Sequence, residues 1–311
     1  ELDRERSLGR GDGLADALEA LEAAGEGEEP LVGGARTRRR TGTDDDGTVD
    51  GDEDSDGDGS ILFEYDATLD PADDAVPEVL RAGDIEVLGA MPWSSNNTFL
   101  VQVTCGAEHL PAIYKPERGE RPLWDFPDGL WKREVATAVL SAHLGVGLVP
   151  PTVTRGDEDG RGAPAPAGRG SLQAFVPARF AEHYFTLRDR DDLADTFRTL
   201  AAFDLVVNSA DRKSGHCLID GRDRIWAIDN GLTLHREFKV RTVIWDFAGD
   251  AVPDPMLRAL DDMLGRPLPA ELAELLDPFE RDALRDRAAG VLAAGRLPHD
   301  PTGRRVPWPL V

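Results

Sequence analysis

The sequence predicts a two-lobed α+β fold, with a β-rich first lobe and a mostly helical second lobe. Three observations predict it. Short β-like runs bounded by turn residues crowd residues 85–116 and return near 149–153 and 171–176. From about residue 191 the apolar residues adopt the three-and-four spacing of helices. A short hairpin signal at 217–228 is bracketed by Asp211-Arg212-Lys213 and Asp229-Asn230-Gly231.

Residues 1–60 form a tail that the composition predicts to be poorly ordered. It allows one short helix near 14–24, then carries Arg36, Arg38, Arg39 and Arg40 before an acidic tract from Asp44 to Asp58. Such a stretch buries too little apolar surface to offset chain entropy. Asp54-Ser55-Asp56-Gly57-Asp58-Gly59 imitates the start of a calcium loop, but Tyr65 stands where an EF-hand needs a bidentate Glu. A solvated acidic segment is the expectation there.

Ile85 to Gly89 reads as the first strand, and Pro92 to Asn97 as a turn. Thr98 to Cys105 reads as the returning strand, and Pro111 to Pro116 as a third. A helix follows over about 130–143, with Val135, Val139 and Ala142 on one face and Gly145 as its stop. Residues 149–153 resemble a strand, 155–170 an exposed Gly- and Pro-rich loop, and 171–176 a strand crossing to the second lobe. There, Asp191 or Asp192 can cap a helix presenting Leu193, Phe197 and Leu200 and running to about Val207. After the hairpin, 253–264 and 278–294 read as helices. The last has Asp277 as N-cap, Pro278 at its first position and a buried stripe of Leu284, Ala288, Val291 and Leu292. The division expected is a tail over 1–60, a β-rich lobe over 61–178 and a helical lobe over 179–311.

Composition narrows the function. The 311 residues carry 59 acids against 35 bases, a formal charge of −24. A chain so charged repels nucleic acid and anionic lipid unless it builds a local basic patch. Two cysteines, Cys105 and Cys217, make no disulfide framework. There is no apolar run long enough to span a membrane and no signal-peptide pattern, so the expectation is a cytoplasmic protein. Only Lys115, Lys132, Lys213 and Lys239 are lysines in an Arg-rich chain, which marks each as a candidate for a task that a planar guanidinium fills badly.

The hairpin carries the chemistry. It returns its end near its start, so Asp211 and Asp229 should meet. Two carboxylates converging beside Arg212 and Lys213 suit metal-assisted phosphoryl transfer: one orients a hydroxyl and the other holds a divalent cation. Other chemistry is weak. His216-Cys217 lacks metal-site spacing, and no Gly-x-Ser-x-Gly elbow is present.

The order of parts matches a kinase-like fold: strand, polar turn, strand, strand with Lys115, helix with Glu134, crossing strand, helix, Asp211 loop, hairpin, Asp229. Four segments carry a closer resemblance. They are Tyr114-Lys115-Pro116, Glu120-Arg121-Pro122-Leu123-Trp124-Asp125-Phe126, Asn208-Ser209-Ala210-Asp211-Arg212-Lys213 and Ile228-Asp229-Asn230-Gly231. Over about residues 84–265 the chain resembles the phosphatidylinositol 3-/4-kinase-related atypical kinases, in an uncharacterised actinobacterial branch. The resemblance implies an ATP- and Mg²⁺-dependent phosphotransferase. Lys115 would bind nucleotide phosphates and Glu134 would hold Lys115, although Arg133 and Asp128 lie near enough in sequence to leave that partner open. Asp211 would position or deprotonate the acceptor hydroxyl, with Lys213 as the second catalytic residue, and Asp229 would bind the metal. Ser94, Ser95 and Asn96 of the turn, with Gln173 and Phe175 of the crossing strand, would contact the nucleotide.

Three departures qualify this. A serine- and asparagine-containing turn replaces the glycine-rich loop, though N–H groups and hydroxyls can still cradle phosphate. His216 stands where kinases place a metal-binding Asn; a neutral imidazole suits Mn²⁺ or Zn²⁺ better than Mg²⁺, and Asn208 is a partial substitute. No Ala-Pro-Glu-type segment follows Asp229. The stretch 232–245 instead carries His235, Arg236, Lys239 and Arg241, which by resemblance could contact a phosphorylated substrate or else pair with nearby acids. The acceptor and the oligomeric state are not readable. A nucleotide-binding pseudokinase scaffold and adenylyl transfer on the same fold are the alternatives.

Overall fold

The computed structural model describes residues 66–91, 96–156 and 163–311. The expectations for the N-terminal tail, its short helix and the calcium-like run, and those for Ser94 and Ser95, lie outside the described residues.

Two lobes of different texture are present. The first is a five-stranded antiparallel sheet in the order β1-β2-β3-β5-β4, made of β1 (Asp84–Ala90), β2 (Phe99–Cys105), β3 (Glu108–Pro116), β4 (Thr152–Arg155) and β5 (Gly170–Ala174). Helix α1 (Val76–Ala82) covers one face, burying Val76, Val79 and Leu80 against Val101, Val103, Ala112, Tyr114 and Leu172. Helix α2 (Leu130–His143) touches β4 and β5. The second lobe holds α3 (Tyr184–Leu187), α4 (Ala194–Val207), the hairpin β6 (Cys217–Ile219) and β7 (Ile225–Ala227), then α5 (Asp254–Leu264), α6 (Ala270–Leu275) and α7 (Pro278–Ala294). Its larger core gathers Phe197, Leu200, Phe203, Met256, Leu260 and Leu284, with α5 and α4 both packed on α7. This is the α+β architecture expected. No described helix is long and apolar enough to cross a membrane.

Local chemistry accounts for the boundaries. Gly106, at φ +64°, opens the two-residue loop between β2 and β3, where a tight hairpin needs left-handed backbone. Strand β3 starts at Glu108 rather than at Pro111. Pro111 faces β5 beyond their last paired residues, where its carbonyl accepts from Phe175 N–H, so the missing donor costs no ladder bond. Helix α2 ends with Gly145 at φ +65°, its N–H on the Ala142 carbonyl. Strand β4 begins later than expected because Pro150 and Pro151 cannot donate; the N–H groups of Leu148 and Val149 instead reach Ser141 Oγ. Helix α7 is capped as expected, with Asp277 accepting from Glu280 N–H and Glu280 from Asp277 N–H.

Two expectations need correction, and one helix had not been expected. Asp191 and Asp192 do not cap α4: they sit in a 3₁₀ turn, and Asp192 is paired to Arg190. Arg155 is not an exposed loop residue. It is fully buried at the end of β4, donating to the carbonyls of Leu80 and Gly83 at the end of α1 and of Ala163 and Pro164. Helix α1 itself is seven residues long, too short to show a periodic stripe.

Candidate functional site

Lys115 sits near the end of β3. Alternation places it on the sheet face opposite Ala112 and Tyr114, which belong to the apolar core under α1. Its Nζ donates to Glu134 Oε1 of α2 at 2.5 Å and to Asp229 Oδ1 beyond β7 at 2.9 Å. The other oxygen of Glu134 accepts the Asn230 N–H at 2.9 Å. The neighbour Arg133 points away, donating to the Thr233 carbonyl and to Glu280 Oε1 of α7. So Glu134, and not Arg133 or Asp128, faces Lys115. The start of α2 is held by Glu120, whose carboxylate accepts the N–H groups of Gly129, Leu130 and Trp131. Those donors have no partner within the helix.

The Asp211 loop is fastened by backbone bonds to two other segments. Ala210 N–H donates to the Leu232 carbonyl, Arg212 N–H to that of Arg241, and Arg241 N–H to that of Ser209. Arg212 itself does not join the chemistry expected of it. Its side chain is fully buried against Asp204 of α4, with Nη1 on the Ile228 carbonyl at 2.8 Å and Nη2 on Asn230 Oδ1 at 2.8 Å. Burial pushes the Asp204 carboxyl above its ordinary range, against the pull of Arg212. Asp204 escaped the sequence reading, although an Asp between Phe203 and Leu205 in an apolar helix was the available signal: a buried carboxylate needs a cation.

Asp211, Lys213, His216 and Asp229 face the same cavity as Lys115 and Glu134, a space of about 380 Å³ between the lobes. Lys213 Nζ lies 3.1 Å from Asp211 Oδ2. Burial raises the Asp211 carboxyl above the usual range; Lys213 opposes this and Asp229 adds to it. Asp229 is held well below the usual carboxylate range, chiefly by Lys115. It adopts φ +56°, a left-handed conformation that Asp tolerates better than most residues and that concentrates at functional sites.

His216 is oriented by backbone. Its Nδ1 lies 2.9 Å from the Asp211 carbonyl, which only accepts, so the proton is assigned to Nδ1. The Lys213 N–H, 3.4 Å from the same nitrogen, is the weaker contact. The lone pair of Nε2 is then left 3.4 Å from Asp229 Oδ2. Burial pushes the imidazole down to about 4, with Asp229 opposing, so it is neutral near pH 7. A neutral nitrogen and a carboxylate facing each other with no proton between them form a two-donor set for a cation. No group of three or more His, Cys, Asp or Glu among the described residues forms a cation cage, so further ligands would come from a bound anion or water.

Of the residues singled out from sequence, the cavity unites Lys115, Glu134, Asn96, Asp211, Lys213, His216 and Asp229. It does not take in Asn208, Gln173 or Phe175. Asn208 ends α4 at φ +56° and spends its amide on the backbone of the segment opposite, donating to the carbonyls of His235 and Glu237 and accepting from Lys239 N–H. Gln173 pairs with Ile113, one pleat from Lys115, and gives its amide to Thr152 Oγ1. The Phe175 ring lies against Phe180, with centroids 6.1 Å apart.

No protein-family model matches the chain. Among solved structures, that of the Helicobacter pylori proinflammatory kinase CtkA aligns with a TM-score of 0.42 and 10% identity, covering 69% of this chain and 93% of that one. At that score the likeness is too loose to support an inference. Protein Rv2133c of Mycobacterium tuberculosis is 39% identical over a 272-residue alignment that covers 74% of this chain and 94% of the relative. With such identity across nearly the whole length of the relative, the chain belongs to the family of Protein Rv2133c.

Proposed function

We propose that the chain is an atypical kinase, an ATP- and divalent-metal-dependent phosphotransferase related to the phosphatidylinositol 3-/4-kinase group. One observation carries the reading: Lys115 bridges Glu134 and Asp229 at the edge of a cavity that Asp211 also faces. Phosphoryl transfer asks a protein mainly for position and charge neutralisation, and this constellation supplies both.

Lys115, anchored by Glu134, would orient the nucleotide phosphates. Asp229 and His216 would hold the metal, Mn²⁺ fitting the imidazole donor better than Mg²⁺. When bound, that cation would neutralise charge on the transferring group. Asp211 would accept the proton of the acceptor hydroxyl as its oxygen bonds to the γ-phosphorus and the bond to the β-phosphate oxygen breaks. Burial, by raising the Asp211 carboxyl, makes it a better proton acceptor. Lys213, beside Asp211, would steady the charge on the group in flight.

The test is transfer of label from γ-labelled ATP with Mg²⁺ or Mn²⁺, in the unsubstituted chain and in Asp229→Asn. Loss of turnover in the variant is expected; turnover unchanged by it would remove the assignment. His216 in the usual Asn position favours a second reading, a nucleotide-binding scaffold. Metal-dependent stabilisation by ATP without any turnover would select it.

A further inference from the structure

A smaller cavity of about 210 Å³ is lined by Asp125, Lys239, Val240, Arg241, Arg304 and Arg305. Four cations thus converge on one acid in a chain of net charge −24. Two come from the segment after Asp229 and two from the C-terminal segment, more than sixty residues further along. The C-terminal segment is tied in place. The Arg305 carbonyl accepts from Thr242 N–H and from Trp245 Nε1, the Leu310 carbonyl accepts from Ser214 N–H, and the Arg305 guanidinium lies 4.7 Å from the centre of the Phe238 ring.

These charges are poorly neutralised within the protein. Lys239 Nζ is 3.8 Å from Asp125, and Arg305 Nε is 3.7 Å from Asp300, both at the limit of an ion pair. Arg241 gives Nε to the Ala210 carbonyl, and neither Arg241 nor Arg304 forms an ion pair among the described residues. Like charges gathered this way repel unless an anion joins them. The pocket is connected to the catalytic loop, because the carbonyl held by Arg241 belongs to the residue immediately before Asp211.

We infer that this pocket receives an anionic group, a phosphate or a carboxylate, carried by the phosphoryl acceptor, whose hydroxyl is thereby placed at Asp211. The assignment of that anion to the acceptor rests on the phosphotransferase reading; binding of an anion in the pocket does not. Its volume is below the range of roughly 300–1,000 Å³ that holds a whole small ligand, so it takes one charged group and leaves the rest of the molecule outside. The acidic character of the whole chain favours a soluble acceptor over a headgroup in an anionic bilayer.

Titration of inorganic phosphate into the full chain by calorimetry tests the pocket. Arg304→Ser and Lys239→Met should each weaken binding about tenfold, the effect of one charge-assisted hydrogen bond, and Arg304→Lys should restore most of it. Salt should weaken binding in the unsubstituted chain. Arg304 is exposed and its side chain makes no ion pair, so the melting temperature of Arg304→Ser should match that of the unsubstituted chain. Phosphate that binds these variants as tightly as the unsubstituted chain would overturn the assignment. With γ-labelled ATP, glycerol 3-phosphate should be labelled and glycerol should not; equal labelling of both would also overturn it. Labelling of a phosphoinositide only in phosphatidylcholine vesicles would keep the pocket's chemistry and assign its source to a lipid. Phosphate binding lost in Arg304→Ser, with no label transfer by the unsubstituted chain, would leave the pocket standing and remove the phosphotransferase reading instead.

Discussion

Replacing Arg212 by Met should be the most damaging single change near the site, although Arg212 does not face the cavity. Its guanidinium reaches Asp204 Oδ1 at 3.1 Å and Oδ2 at 3.3 Å, the Ile228 carbonyl and Asn230 Oδ1. Both side chains of the Arg212–Asp204 pair are 0% exposed. Removing one partner of such a pair costs about 3–5 kcal/mol, because the other charge stays buried and uncompensated. Thr242 Oγ1, on Asp204 Oδ2 at 3.1 Å, is then the one remaining side-chain donor to that carboxylate among the described residues. At about 2–4 °C per kcal/mol for a domain of this size, the melting temperature should drop by roughly 6–20 °C. The double variant Arg212→Met/Asp204→Leu should recover part of that loss, since no buried charge remains. The assay is chemical denaturation of the four proteins in a double-mutant cycle. The stability of Arg212→Met should also fall as pH rises. A buried carboxyl with a raised pKa holds a proton that the unfolded chain has released, so raising the pH favours unfolding. Single variants each costing under about 1 kcal/mol, or a double variant costing the sum of the two, would refute the clamp.

Other outcomes follow from the same geometry. His216, pushed down to about 4 from 6.5, is neutral in the folded chain where the unfolded chain is protonated. The metal-free protein should therefore gain stability as pH rises from about 4 to 6.5 and level off above, by up to about 3 kcal/mol, and His216→Asn should flatten that window in pH-dependent melting curves. Asp229, depressed by Lys115, contributes stability that is present above the ordinary carboxylate range and lost at strongly acid pH; Lys115→Met should remove that contribution together with ATP-dependent stabilisation. Glu120→Ala strips the acceptor from three N–H groups at the start of α2 and should cost about 1–2 kcal/mol in denaturant titrations, with loss of ATP turnover because α2 carries Glu134.

What was legible in the sequence was local. Lys115 stood out because lysine is scarce in an Arg-rich chain, and the hairpin between Asp211 and Asp229 could be read from its apolar runs and its Gly221 turn. Helix α2 could be bounded by Gly145. What was not legible depends on bonds between distant residues. Arg155 looked like the first residue of a loop because its carbonyl partners Leu80 and Gly83 lie more than seventy residues earlier. Arg212 was placed beside the two carboxylates because spacing along the chain does not show which cation the buried Asp204, on the preceding helix, turns inward. The basic island after Asp229 was visible, but not its division: Lys239 and Arg241 join Arg304 and Arg305, whereas His235 turns to Glu237 N–H and Phe126.

These distant bonds link the two lobes in one chain of contacts. Lys115 on the sheet binds Glu134, Glu134 binds Asn230 N–H, Asn230 Oδ1 binds Arg212, and Arg212 binds Asp204, which Thr242 also reaches. Asp229 lies within this chain, between Lys115 and Asn230. A shift of α2 away from the second lobe would break the Asn230 N–H bond and remove the acid that anchors Lys115, so the cation and the carboxylate cannot be repositioned independently. Such coupling suits a site that must bring both to one phosphate, because preorganised charges cost no rearrangement at the moment of transfer. It also predicts non-additivity. Glu134→Ala combined with Asn230→Ala should cost less ATP turnover than the product of the two single effects, since either change already loosens the loop that carries Asp229: the first removes the acceptor of the Asn230 N–H, and the second removes the side-chain bonds to Arg212 and to the Ala227 carbonyl. Independent, multiplicative losses would mean that the contacts coexist without acting together.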